Sequence, residues 1–287
     1  MVASQNDLAS QVGAEILAAG GTAVDAAVAG GFSLAVTLPR AGNLGGGGFM
    51  LIHDAASGES IAIDYREMAP IRATRDMYLD EEDNAVAELS RFSHLAAGVP
   101  GTVAGLYEAH AKFGRLPWKR LLEPAIRQAR EGVVISYDLA GLLKSRQERM
   151  CRSEATCRYF YRKDGTPYEP GDLLVQRDLA DTMERIARHG PDGFYQGKTA
   201  SLIAAEMERG GGLVDEASLA RYEPVLREPV TGTYRGYEIV TMPPPSSGGV
   251  HVIQMLNMLE HFPVRELGAG GADNVHLLAE AARLAFA

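Results

Sequence analysis

An arginine flanked by acids has the clearest potential for chemistry in this sequence. It lies in DYREMAP, residues 64–70, directly after an apolar stretch that has the composition of a β-strand. Side chains alternate along a strand, so Asp64 and Arg66 share one face, whereas Tyr65 and Glu67 share the other. A guanidinium is a planar, permanently charged fork that suits a carboxylate ligand. The alternative is a structural ion pair with Asp64 or another acid, and the spacing alone favours that alternative.

A glycine-rich run, GNLGGGG at residues 42–48, resembles a ligand-binding loop at first sight. Phosphate-binding loops connect a strand to a following helix, and a Lys-Ser or Lys-Thr pair closes the nucleotide motif. Here the predicted order is helix, loop, strand, and that pair is missing. The pattern therefore predicts close backbone packing, for which glycine is suited because it has no Cβ.

A pair of serines in PPPSSGG, residues 243–249, precedes a predicted amphipathic helix. Ser247 and His251 are one helical turn apart, a spacing that a nucleophile and its base would also have. No strained turn of the G-x-S-x-G kind surrounds them. We therefore predict that Ser246 and Ser247 cap the helix.

The other reactive side chains predict no metal or cofactor site. The seven histidines have no H-E-x-x-H spacing, and the acidic run Asp80–Asp83 lacks the alternation of a calcium loop. Cys151 and Cys157 lie in a polar stretch that can fold back on itself. A disulfide and two free thiols both remain open for this pair.

The elements that position these residues alternate between helix and strand. Apolar spacing predicts a helix over Leu8–Ala19 and a second, buried helix over Ala23–Val36 that Thr22 caps. FMLIHDAA and IAIDYRE predict a β-hairpin, whose first strand, Phe49–Ile52, is apolar throughout and should be covered on both faces. Residues 100–192 are mostly helical in pattern. The class is α/β, with helices packed on a sheet.

Composition limits the classes of function. The 287 residues are 46% hydrophobic and carry a net charge of −9, which argues against binding to nucleic acid or to an anionic membrane. No apolar run reaches the length of a membrane span, because the nearest candidate, Ala23–Leu38, is too short and contains Asp25. The N-terminus lacks a secretory signal, so we expect a cytoplasmic protein or one from which a signal was removed. The last predicted helix has no stop signal, and we expect a longer polypeptide.

Several long stretches together resemble the γ-glutamyltranspeptidase family. They are ASQVGAEILAAGGTAVDAAVA, AGNLGGGGFMLI, IDYREMAP, SHLAAGVPGTVAG and YRGYEIVTMPPPSSGG, in the family's order and spacing. The resemblance implies the large-subunit part of an N-terminal nucleophile hydrolase with a four-layer αββα sandwich. Residues 1–287 would then form a single domain that is incomplete at its C-terminus.

The resemblance also implies a mechanism. A precursor cleaves itself into two subunits, and the new N-terminal threonine of the small subunit attacks the γ-glutamyl amide of glutathione or a related compound. Water or an acceptor amino acid then takes the acyl group. The nucleophile lies outside this chain, and Thr22, Thr37 and Thr102 do not match its motif. The family's oxyanion-hole glycines and its substrate-binding serine pair also belong to the small subunit.

One substrate-binding residue carries over to this chain. The family's arginine in the R-E-M-A-P stretch binds the substrate's α-carboxylate, and here it is Arg66. The resemblance therefore favours substrate binding by Arg66 over the structural ion pair that the spacing alone favoured. The expected partners are the small subunit of the same precursor, γ-glutamyl compounds and acceptor amino acids. Exported bacterial relatives imply a periplasmic or secreted protein if a signal peptide was removed.

Two other functions remain open. A glutaryl or cephalosporin acylase of the same superfamily would use Arg66 equally well, because glutarate keeps the distal carboxylate. A non-catalytic scaffold derived from the fold would have no nucleophile in the rest of the precursor. For the glycine run, we predict that Gly46→Val or Gly47→Val impairs folding or self-cleavage rather than substrate affinity.

Overall fold

A computed structural model describes all 287 residues and divides them into two compact units. The first unit comprises Met1–Gly47 and Arg66–Glu223, and the second comprises Gly48–Tyr65 and Pro224–Ala287. The predicted mixture of helices and strands is present. No helix combines the length and the apolar character that a membrane crossing needs.

Helices and strands are each numbered in the order in which they occur along the chain. The helices are α1 (Asp7–Ala18), α2 (Ala23–Thr37), α3 (Ala87–Phe92), α4 (Thr102–Phe113), α5 (Trp118–Glu131), α6 (Tyr137–Met150), α7 (Glu154–Phe160), α8 (Arg177–His189), α9 (Asp192–Tyr195), α10 (Gly197–Gly210), α11 (Glu216–Ala220), α12 (Gly248–Leu259) and α13 (Ala272–Ala285). A short 3-10 helix covers His94–Ala96. The strands are β1 (Phe49–Asp54), β2 (Glu59–Asp64), β3 (Val133–Val134), β4 (Leu173–Leu174), β5 (Val225–Arg227), β6 (Val230–Tyr234) and β7 (Tyr237–Thr241).

Helix α2 forms the centre of the first unit, as its apolar composition predicts. It packs against α1, α4 and α5, and Phe32 meets the ring of Trp118 edge to face with 5.5 Å between centroids. Thr22 caps the helix as predicted. Its Oγ1 accepts from the backbone N–H of Asp25, and the Asp25 carboxylate accepts from the backbone N–H of Thr22. This reciprocal capping box fixes the start of α2.

The buried carboxylate of Asp25 also joins α2 to the loop that follows α4. It accepts from the backbone N–H groups of Arg115 and Leu116 at 3.0–3.2 Å, and it is inaccessible to solvent. Several backbone donors therefore compensate one buried charge, as the burial of a carboxylate requires.

The second unit contains the predicted hairpin. Strands β1 and β2 pair antiparallel, with Ile52 opposite Ile61, and β5 adds to the other edge of β2. A separate hairpin, β6–β7, packs against α12. The prediction that β1 is covered on both faces is wrong. Strand β1 is an edge strand, and alternation places Ile52 on the buried face but leaves Leu51 42% exposed on the other.

The predicted serine cap of α12 is also wrong. Ser247 occupies the N-cap position, but its backbone is helical and its side chain makes no capping hydrogen bond. Capping side chains act from an extended backbone, which Ser247 does not have. Ser246 accepts weakly from the N–H of Gly248 at 3.3 Å, within a local turn.

Cys151 and Cys157 form a disulfide between the end of α6 and the middle of α7. The sequence left this pairing open, and the fold resolves it because the chain reverses between the two helices. The bridge closes a loop over a sequence separation of 6 residues. Short closed loops remove little entropy from the unfolded chain, so their stabilisation is small.

We predict that the double variant Cys151→Ser, Cys157→Ser lowers the free energy of unfolding by about 2 kcal/mol. Denaturant titration of the variant and the wild type measures this difference. The mass of the protein should rise on alkylation only after reduction. Full alkylation without a reductant would contradict the disulfide.

Candidate substrate-binding site

Arg66 lies two residues after the end of β2 and is exposed, whereas the preceding Tyr65 is buried. The Tyr65 hydroxyl donates to the carbonyl of Phe49 at 3.3 Å, and paired backbone bonds between Tyr65 and Gly48 extend the hairpin beyond β2. Burial raises the pKa of Tyr65 to about 12, so this phenol stays a neutral donor at physiological pH. The residue that precedes Arg66 is therefore fixed by both its side chain and its backbone.

The backbone on the other side of Arg66 is also fixed. Met68 and Val99 form an antiparallel bridge, with N–H···O distances of 3.2 and 2.8 Å. The hydroxyl of Tyr222 donates to the carbonyl of Arg66 itself at 2.8 Å. Two separate parts of the first unit thus hold the segment from which the guanidinium projects.

The glycine run meets the same part of the first unit. The carbonyl of Gly46 accepts from the backbone N–H groups of Gly101 and Thr102, at 2.7 and 3.0 Å. These are donors at the start of α4, which has no side-chain cap. The run therefore satisfies donors that a helix leaves without a partner at its N-terminus.

Close backbone packing, which the sequence predicts for this run, is found at Gly42. A Cβ on Gly42 would lie 2.4 Å from the carbonyl oxygen of Leu34 in α2. A Cβ on Gly46 would lie 2.5 Å from Oδ1 of the exposed Asn43, whereas a Cβ on Gly45 would meet nothing within 4 Å. The steric requirement for glycine is thus strongest at Gly42, which the sequence did not distinguish.

Asp64, which the sequence offered as a partner for Arg66, forms an ion pair with Arg227. The Nε atom of Arg227 lies 2.8 Å from Oδ2 of Asp64, and both residues belong to the second unit. Arg227 lies in β5, which pairs with β2. The sequence did not reveal this ion pair, because only the pairing of the strands brings the two residues together.

The other candidates have structural environments. Thr22 takes part in the capping box, and the hydroxyl of Thr37 donates to the carbonyl of Ser33 at 3.0 Å. The Nδ1 atom of His251 is buried without a hydrogen-bond partner, so Ser247 is not paired through that nitrogen. The Asp80 carboxylate closes a turn by accepting from the N–H groups of Glu82 and Asn84. The contacts of Thr22, Thr37 and Asp80 favour structural roles for these three residues.

The chain is similar to known proteins over nearly its whole length. A profile of the family described as gamma-glutamyltranspeptidase matches residues 9–287. The chain is 49% identical over 287 residues to the glutathione hydrolase proenzyme of Escherichia coli (strain K12), with 100% of this chain and 49% of that protein covered. It is 42% identical over 293 residues to the acylase ACY 1 proenzyme of Pseudomonas sp. (strain SE83), with 100% of this chain and 52% of that protein covered. The chain spans about half the length of the curated relatives it matches.

A solved structure gives the same result. The crystal structure of Helicobacter pylori gamma-glutamyltranspeptidase superposes with a TM-score of 0.97 at 47% identity, with 100% of this chain and 82% of that chain covered. The chain therefore has the mixed α/β fold of the N-terminal nucleophile hydrolases, which confirms the predicted fold class. Within that class, it belongs to the γ-glutamyltranspeptidase family.

Proposed function

We propose that this chain is the large-subunit portion of an enzyme that cleaves the γ-glutamyl amide bond of glutathione and related compounds. The observation that carries the proposal is the identity of 49% to a glutathione hydrolase proenzyme along the whole chain. The exposed Arg66, on a backbone held by Tyr222 and by the Met68–Val99 bridge, supports the same function. The assignment of residues 1–287 to a single large-subunit domain is part of this proposal.

The proposed reaction has two halves. A threonine hydroxyl in the other half of the precursor attacks the γ-carbonyl, and the amine of the substrate leaves with a proton. The γ-glutamyl ester then reacts with water or with the amine of an acceptor amino acid, which regenerates the hydroxyl. Arg66 contributes by binding the α-carboxylate through paired N–H···O bonds, which fixes the γ-carbonyl relative to the nucleophile.

The proposed partner is the small subunit from the same precursor. The proenzyme names of the relatives support a precursor that is processed. In the second unit, exposed apolar side chains lie on α12 and α13 and at the residue after α13, namely Val250, Val252, Leu278, Leu284 and Phe286. Exposed apolar surface of this kind is typical of an interface with another part of the protein.

The proposed compartment is the periplasm or the extracellular space, with the cytoplasm as the alternative. Support comes from the Cys151–Cys157 disulfide, because disulfides persist mainly in oxidising compartments. Fractionation of cells that express the full-length precursor tests this. Activity that stays with the cytoplasmic fraction would overturn the proposal.

A second candidate is an acylase for glutaryl or cephalosporin side chains. The identity of 42% to an acylase proenzyme favours it specifically. A glutaryl group differs from a γ-glutamyl group only by the missing α-amine, so Arg66 serves both substrates. The scaffold alternative would require that the rest of the precursor has no nucleophile.

The deciding experiment uses the matured enzyme, produced from the full-length precursor. Its kcat/KM is measured with a γ-glutamyl amide and with the glutaryl amide of the same amine. We expect a preference for the γ-glutamyl amide. A preference for the glutaryl amide would assign the protein to the acylases, and no turnover of either by a correctly cleaved enzyme would exclude both.

A further inference from the structure

Tyr222 makes a long-range contact with the residue that the proposed function depends on. It lies between α11 and β5 and is 8% exposed. Its hydroxyl donates to the carbonyl of Arg66, 156 residues away in the sequence, at 2.8 Å. A phenol that is largely buried needs a hydrogen-bond partner, and here the partner is a backbone carbonyl of Arg66 itself.

A second tyrosine supports the first. The rings of Tyr195 and Tyr222 stack with an interplanar angle of 5° and centroids 5.7 Å apart. The Tyr195 hydroxyl donates to the carbonyl of Pro100 at 2.8 Å and accepts from the N–H of Ala104 at 3.2 Å. Desolvation raises the pKa of Tyr195, so its hydroxyl stays protonated and remains a donor.

The two phenols hold two chain segments that one backbone bridge connects. Tyr222 holds the carbonyl of Arg66, Tyr195 holds the carbonyl of Pro100, and the antiparallel Met68–Val99 bridge joins the two segments next to these points. Because the rings stack, a shift of one phenol is resisted by the other. The orientation of the backbone at Arg66 is therefore set by the Tyr195–Tyr222 pair as well as by the Met68–Val99 bridge.

We propose that Tyr222 is a positioning residue that orients Arg66 toward the substrate's α-carboxylate. Tyr222 acts through Arg66 and need not touch the substrate. The inference rests on the proposed role of Arg66 and deepens it. A bidentate contact depends strongly on orientation, so a small rotation of the backbone at Arg66 weakens carboxylate binding more than it slows the chemical step.

Tyr222→Phe in the full-length precursor removes the hydroxyl and keeps the stacked ring. We expect the KM for a γ-glutamyl amide to rise about threefold to tenfold, the usual effect of one lost hydrogen bond, while kcat changes less than twofold. The preference for this substrate over a 4-aminobutanoyl amide, which lacks only the α-carboxylate, should decrease by the same factor. Tyr78→Phe is the matched control, because its hydroxyl donates to the carbonyl of Leu95 at 3.1 Å.

The outcomes separate this inference from the proposed function. If Tyr222→Phe leaves the preference unchanged, or if it prevents maturation altogether, Tyr222 has a folding role and the inference is wrong. If Arg66→Ala leaves the preference unchanged, the proposed role of Arg66 is wrong, whatever Tyr222 does. In the Arg66→Ala background, Tyr222→Phe should change the preference no further, because the two residues act as one unit.

Discussion

Arg66→Ala, introduced into the full-length precursor, is expected to raise the KM for γ-glutamyl substrates strongly while the enzyme still matures. The substitution removes the cation that binds the α-carboxylate. Loss of one partner of such a pair costs about 2–5 kcal/mol, which corresponds to roughly 30-fold to several thousand-fold in kcat/KM. Arg66 is exposed, so its truncation creates no cavity in the core. Steady-state kinetics of the matured variant give the measurement.

Two control variants sharpen this prediction. Arg66→Lys keeps the charge but lacks the planar fork, so we expect it not to restore the KM. Arg75→Ala, in the same segment, removes an arginine whose side chain is 96% exposed and lies 3.7 Å from Asp76, and it should leave the kinetics unchanged. Wild-type kinetics for Arg66→Ala would show that the arginine does not bind substrate.

Gly42→Ala is expected to destabilise the protein and to reduce self-cleavage of the precursor. The added Cβ would lie 2.4 Å from the carbonyl oxygen of Leu34 and 2.5 Å from its carbonyl carbon. These are backbone atoms of α2, which cannot move aside as a flexible side chain could. Overpacking of this kind costs about 1–3 kcal/mol, which lowers the melting temperature by roughly 2–10 °C. The melting temperature and the fraction of cleaved precursor are the two measurements.

Gly45→Ala is the matched control for this effect, because a Cβ at Gly45 meets nothing within 4 Å. We expect it to mature and melt like the wild type. Gly46→Val should be intermediate, since the contact there is with the exposed side chain of Asn43, which has room to move. A matured Gly42→Ala enzyme with normal stability and only a raised KM would show that the run lines the substrate pocket.

Predictions from the sequence were most accurate where the determinants are local. Thr22 and Asp25 are three residues apart, so the capping box at the start of α2 is readable directly from the sequence. The β1–β2 hairpin follows from two apolar stretches joined by a short turn. The predicted cap at Ser247 is wrong because the backbone of Ser247 is already helical, and its position before the helix does not reveal this conformation.

The surroundings of the candidate site depend on contacts between distant parts of the chain. Asp64 and Arg227 are 163 residues apart, and Arg66 and Tyr222 are 156 apart. No periodicity or short motif connects such pairs, and only the fold brings them together. The family resemblance could therefore suggest Arg66 as a substrate-binding residue, but the sequence could not reveal the tyrosine that holds its backbone.

The glycine run has a structural explanation that involves no ligand. Gly42 allows the chain to pass close to the backbone of α2, and the carbonyl of Gly46 satisfies two donors at the start of α4. Val99, which pairs with Met68, lies just before α4, and the donors that Gly46 satisfies lie at the start of α4. The glycine run and the segment of Arg66 therefore contact the same part of the first unit. Damage to the run should therefore affect folding and maturation first.

The central claim is that Arg66 of this chain recognises the α-carboxylate of a γ-glutamyl substrate. The most direct measurement is the ratio of kcat/KM for a γ-glutamyl amide to kcat/KM for the matching 4-aminobutanoyl amide, in the wild type and in Arg66→Ala. We predict a large ratio in the wild type that falls toward one in the variant. An equally large ratio in both enzymes would contradict the claim.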